Sequence, residues 1–221
     1  MKKFFAVQLT ALLLLLTSSI AFAAFEEKLE EGVDLSTIKK MAIAIPEFYK
    51  VSEREPTLEE LTKDLSEAGI EASTLEIAPY EEVIAAIRRD TGIDVHSLEP
   101  AEAEKFFLKN VKHYADAYVV LTVANNSDKP WLFYYVYDAK TTKLIYTYSV
   151  QSRLLGHSAK DYFNTSKDFF RHFDDVAPQK LEGKERKAFQ ERQKEIRKSK
   201  SKIHRLDEKT GRNKVELVRK K

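Results

Sequence analysis

Five histidines are the first candidates for chemistry: His96, His113, His157, His172 and His204. Imidazole exchanges protons near neutral pH and is the commonest metal ligand. Two of them have carboxylates nearby in sequence, in Asp94-Val95-His96 and His172-Phe173-Asp174-Asp175. A metal site takes three or more ligands with supporting partners behind them. Neither HExxH nor HxH occurs, so neither pair is read as a metal site. The acid pairs Glu81-Glu82 and Asp174-Asp175 are adjacent in sequence, whereas an acid/base pair is assembled by the fold, so solvation of a helix surface is their ordinary use. The glycines (Gly32, Gly69, Gly92, Gly156, Gly183, Gly211) form no GxGxxG or GxxxxGK[ST] phosphate loop. GxSxG and SxxK are also absent. The residues therefore point to no catalytic group, cofactor or metal. The enzymatic alternative is a hydrolase of cell-wall or polysaccharide material, which would need a cleft lined by two carboxylates about 5–10 Å apart.

Composition narrows the classes further. The 221 residues contain no cysteine, which removes disulfides, thiolate zinc sites, cysteine nucleophiles and a lipidated cysteine. Met1-Lys2-Lys3, the apolar block Phe4–Leu16 and a small-residue stretch ending Ala21-Phe22-Ala23 have the order of a secretory signal peptide. Residues 1–23 are read as that signal, with cleavage between Ala23 and Ala24. The apolar block is short for a membrane span, and no other stretch could cross a bilayer. The expected location is exported: periplasmic or extracellular, or peripheral to the envelope.

The near-zero net charge hides an asymmetry. Lys180–Lys221 carries 17 Lys/Arg against 7 Asp/Glu, while Ala24–Gln179 carries 18 against 28. A basic tail binds anionic polymers by releasing their counterions. For an exported chain those are cell wall, lipopolysaccharide phosphate or anionic lipid rather than nucleic acid. The candidate contacts are Lys198, Lys200, Lys202, Arg205, Arg219, Lys220 and Lys221. Two other readings stay open: a tail folded back on its own acidic domain, and a solubilising tail with no specific role.

The elements that would position any site follow from periodicity. Residues 24–37 read as a polar lead-in and 38–177 as one α/β domain. Ile38–Pro46 alternates Met41, Ile43 and Ile45 with Ala42 and Ala44, a strand whose alanine face admits a helix closely. Thr57 and Glu60 form a capping box for a helix with Leu58, Leu61, Leu65 and Ala68 on one face and Gly69 as its C′ residue. Ile70–Ile77 is the second strand. Tyr80–Arg89 and Pro100–Tyr114 are further helices. Asp116–Ala124, Trp131–Tyr137 and Leu144–Val150 are three antiparallel strands joined by polar turns. In the second of them Trp131, Phe133, Tyr135 and Tyr137 share a face, read either as packing or as a sticky ligand surface. A helix follows, with the stripe Tyr162, Phe163, Ser166, Phe169, Phe170 and Phe173, best packed on the sheet. Residues 178–221 are a basic tail, helical or disordered. Phe189 and Ile196 stand alone in it, so it is expected to bury no face. The order is β-α-β-α-α-β-β-β-α, an α/β (α+β) fold with a mixed sheet of four or five strands.

Three segments carry a resemblance: KKMAIAIPEF with a capped helix ending LSEAGIEAS, the step YADAYVVLTVANN, and the hairpin YVYDAKTTKLIYTYSV. Together they resemble the α/β domains of the TolB N-terminal, penicillin-binding-protein-activator and CsgG-like group of bacterial envelope proteins. The resemblance covers about Ile38 to Phe173. It implies a non-enzymatic binding or assembly module that docks an envelope protein or an anionic envelope surface. A tail-anchored spacer is the remaining alternative. No functional residue is carried over, because no binding motif of the group is matched.

Overall fold

The computed structural model describes residues 25–125, 129–152 and 158–200. The signal segment 1–23, the cleavage site Ala23/Ala24, His157, His204, and Lys202, Arg205, Arg219, Lys220 and Lys221 lie outside the described residues.

One mixed sheet of six strands organises the chain, in the order β1-β6-β5-β4-β2-β3. The strands are β1 (Phe25–Leu29), β2 (Lys40–Ile43), β3 (Glu76–Ala78), β4 (Ala117–Ala124), β5 (Trp131–Asp138) and β6 (Leu144–Gln151). β2 runs parallel to β3 and β4, and the remaining pairs are antiparallel. The helices are α1 (Leu58–Ala72), α2 (Tyr80–Thr91), α3 (Pro100–Asn110), α4 (Ala159–Val176) and α5 (183–200). The mixed α/β class and the meander agree with the sequence reading. The sixth strand does not: Phe25–Leu29, within the expected polar lead-in, pairs with β6 from Phe25↔Val150 to Leu29↔Tyr146.

Each face of the sheet has its own core. On one face α1 and α4 cover Met41, Ile43, Val119, Leu121, Leu132, Tyr134 and Tyr146. The aromatic stripe of α4 sits here as expected, with Phe169 stacked on Tyr134 at 4.2 Å and Phe173 edge-on to Tyr146 at 5.4 Å. Close ring pairs add to simple area burial. On the other face Ala42 and Ala44 admit α2 and α3, which bring Val83, Ile84, Ile87 and Phe107 against Tyr118.

The boundary between α1 and β3 differs from expectation. The Thr57–Glu60 capping box is present, with Thr57 Oγ1 accepting from Glu60 N at 3.2 Å and Glu60 Oε2 accepting from Thr57 N at 2.8 Å. Gly69, however, lies inside α1, which runs on to Ala72, so strand pairing begins only at Glu76. The reason is proximity: a Cβ on Gly69 would lie 2.8 Å from the Phe170 ring. That glycine serves a close helix contact rather than a turn.

The aspartates in the segments carrying the resemblance are structural. Asp116 Oδ2 accepts from the backbone N–H groups of Lys39 and Lys40, both at 3.0 Å, and so fixes the entry to β2. Asp138 Oδ1 accepts from Lys140 N, Thr141 N and the Thr141 hydroxyl, closing the β5–β6 turn.

Candidate functional surfaces

The described histidines do not converge. His96 Nε2 lies 3.0 Å from Glu81, His113 packs edge-on to Tyr114, and His172 Nε2 lies 2.5 Å from Glu27. Asp94 accepts instead from the backbone N–H of His96, capping the single 3-10 turn Val95–Ser97. Among the described residues no group of three or more His, Cys, Asp or Glu could hold a metal ion.

A cleft of about 240 Å³ lies between the end of β6 and the start of α4, lined by Gln151, Ser152, Asp161, Asn164, Thr165 and Asp168. It holds two carboxylates. They stand seven residues apart on one helix, about 10.5 Å along its axis. Asp161 receives the Ser158 hydroxyl at 2.7 Å, and Asp168 meets Arg171 at 3.4 Å. Carboxylates on one wall do not flank a scissile bond from two sides, as glycoside hydrolysis asks.

In the described part of the basic tail, Arg197 and Lys200 are used in contacts within the chain. Helix α5 docks on the domain, contrary to the expectation that it buries no face. Phe189 packs against the larger core, and Gln193 is buried, its amide donating to Asp174 O at 2.9 Å. Arg197 reaches Asp175 at 3.3 Å and Asp174 at 3.6 Å. Lys200 Nζ donates to Ile70 O at 2.8 Å and to Ser73 O, which places a cation on the carbonyl end of α1. Burial pulls the Lys200 ammonium below its ordinary value, with Asp174 opposing that shift. Asp174 is 1 % exposed and also accepts from Thr74 N at 2.7 Å and from Ser73 Oγ at 3.1 Å. Its burial raises the carboxyl above its ordinary value, against these hydrogen bonds and Arg197. Of the two described candidate contacts, Lys200 is thus engaged within the chain, whereas Lys198 is exposed.

The aromatic row of β5 divides. Tyr137 packs beside the second core, stacked on Tyr118 at 5.1 Å. Trp131, Phe133 and Tyr135 belong to neither core and are partly exposed. Their rings run near-parallel along the strand, 6.2 and 6.4 Å apart. Among the described residues, α2 and α3 cover only the β2–β4 half of this face. The β5–β6–β1 half presents the three aromatics beside Thr147, Ser149, Glu26 and Lys28. At the Trp131 end, Asn125 Nδ2 donates to Tyr49 O, holding a loop whose Tyr49 and Val51 are 82 % and 59 % exposed.

An α/β fold with an open six-stranded sheet and a half-covered face is the class these observations define. No protein-family model and no curated protein matches the chain. Solved structures are similar at low identity. The PelC dodecamer from Paraburkholderia phytofirmans is 8 % identical, covering 69 % of this chain and 97 % of that chain at a TM-score of 0.39. The LpoB C-terminal domain from Escherichia coli is 14 % identical, covering 57 % and 88 % at 0.41. Lipoprotein GNA1162 from Neisseria meningitidis is 17 % identical, covering 52 % and 81 % at 0.33. No helix among the described residues is long and apolar enough to cross a membrane.

Proposed function

We propose that the protein is an exported, non-enzymatic binding module of the bacterial cell envelope, and that its open half-face docks a partner protein. The observation that carries this reading is the row Trp131, Phe133 and Tyr135, left partly exposed beside a half-face of the same sheet that helices cover. Aromatics on an open surface supply large contact area at low entropic cost, and contiguous exposed apolar surface marks interaction sites. The signal-like N-terminus supports the compartment. The basic segment, with Lys198, Lys202, Arg205, Arg219, Lys220 and Lys221, adds an anionic-surface contact, while Lys200 serves the internal docking of α5.

The test is a photo-crosslinking residue at position 133, compared with one at the exposed Glu82 of α2, in cells expressing the whole chain. The reading expects a discrete higher-mass species from position 133 alone. No adduct, or equal adducts from both positions, would reject it. The other reading, a polysaccharide hydrolase, has behind it only the one-walled carboxylates Asp161 and Asp168 of the cleft. It requires release of sugar from purified cell wall that is lost in Asp161→Asn and Asp168→Asn.

A further inference from the structure

Among the described residues strand β1 ends the sheet with one side unpaired, and the direction of its backbone is fixed by its bonds to β6. Glu30 N donates to Ile145 O at 3.1 Å, and Glu26 O accepts from the Ser149 hydroxyl at 3.4 Å. Even-numbered residues therefore turn their N–H and C=O groups inward. By the alternation of an antiparallel strand, Phe25, Glu27 and Leu29 turn theirs outward. An exposed edge of this kind is a template for another strand.

Its sequence is complementary to itself. When a second copy runs antiparallel about Glu27, Phe25 faces Leu29, Glu26 faces Lys28, and Glu27 faces Glu27. The outward backbone groups fall at the hydrogen-bonded pairs. Glu26 and Lys28 fall at the closer, non-hydrogen-bonded pairs, where opposite charges gain most. A lone lysine on an edge guards against pairing, but here each lysine meets a glutamate of the other copy. Both charges are exposed, and among the described residues Lys28 meets Glu30 of its own chain. Phe25, 49 % exposed and resting on Tyr148 and His172, gains cover from Leu29 of the second copy. The two Glu27 carboxylates each keep His172 of their own chain. With strands about 4.8 Å apart, the two β6 strands stand about 14 Å apart, which leaves room for both α4 helices.

We infer that β1 is a homodimerisation edge, at which two copies of this chain join antiparallel about Glu27 into one continuous sheet, through Glu26–Lys28 pairs in both directions. The inference does not rest on the function proposed above, because it is argued from the backbone and charge register of the edge, although Glu26 and Lys28 border the open half-face.

Analytical ultracentrifugation of protein purified from cells expressing the whole coding sequence tests it. The wild type is expected at twice the chain mass. Glu26→Lys and Lys28→Glu each turn two attractive pairs into repulsive ones and should raise the dissociation constant about tenfold or more. The double variant Glu26→Lys/Lys28→Glu, and an equal mixture of the two single variants, should return to the dimer. These side chains are exposed, so circular dichroism should be unchanged throughout. The register has its own readout, since the chain contains no cysteine. Glu26→Cys mixed with Lys28→Cys should form a disulfide dimer, and either alone should not. A monomeric wild type, an assembly indifferent to the charge reversals, or equal crosslinking by a single cysteine variant would overturn the inference.

Discussion

One face of the sheet is finished in two ways. Over β2 and β4, Ala42, Ala44 and Tyr118 lie beneath α2 and α3, and Phe107 is 3 % exposed. Over β5 and β6, Trp131, Phe133 and Tyr135 have no such cover among the described residues. Both halves are aromatic, so residue type does not distinguish them. What does is chain connectivity. The parallel strands β2, β3 and β4 are joined by helical segments that fall back on the sheet, while the antiparallel meander β4–β5–β6 is joined by short connections, residues 125–130 and 139–143, too brief to return a covering helix. The covered half is core, and the other half is, among the described residues, left without helical cover.

That contrast can be broken by substitution. The largest effect is expected on the covered side. Phe107→Ala should cost about 3–5 kcal/mol, measured by denaturant unfolding, because a buried ring leaves a cavity that helices cannot fill. An Asp174→Ala change should cost about 2–3 kcal/mol by stranding Thr74 N, the Ser73 hydroxyl and Arg197. The charge on Asp174 has a separable signature. Its folded-state carboxyl is raised by burial above the ordinary 3.8, so its favourable contribution is complete below that pH and is lost as pH rises through the raised value. Asp174→Asn should remove this segment of the stability–pH curve. Gly69→Ala should cost about 1–3 kcal/mol, because the new methyl meets the Phe170 ring, and pairing it with Phe170→Leu should recover part of the loss. The smallest effect on stability belongs to the open side: Phe133→Ser should change unfolding by about 0.5–1 kcal/mol while abolishing the crosslink from the neighbouring position 135.

Much of this architecture was legible because it rests on apolar period. The meander, the α4 stripe and the alanine face of β2 are each patterns that only one packing satisfies. β1 was missed because FEEKL offers five residues with three charges, and an edge strand needs only backbone bonds on one side. The docking of α5 was missed for a related reason. Its contacts, Phe189, Gln193, Arg197 and Lys200, keep helical spacing but are mostly polar. They meet a buried carboxylate and free helix-end carbonyls, targets that exist only after α1 and α4 are in place. Gly69 read as a turn because a glycine that ends a helix and one that admits a ring look alike in sequence. For the candidate surface, the aromatic row itself was legible. Which half of it stays open was not, since that is set by where the helices return.

The most direct test of the open half-face is a single variant carrying Trp131→Thr, Phe133→Thr and Tyr135→Thr, measured twice. Its melting temperature should stay within about 5 °C of the wild type, since threonine suits a strand and no core is lost. In cells, wild-type protein should remain with salt-washed envelopes while the variant moves to the soluble fraction. A variant that stays bound as firmly as the wild type, or that melts more than about 10 °C lower, would contradict the account, the first by removing the docking role and the second by making the row part of the core.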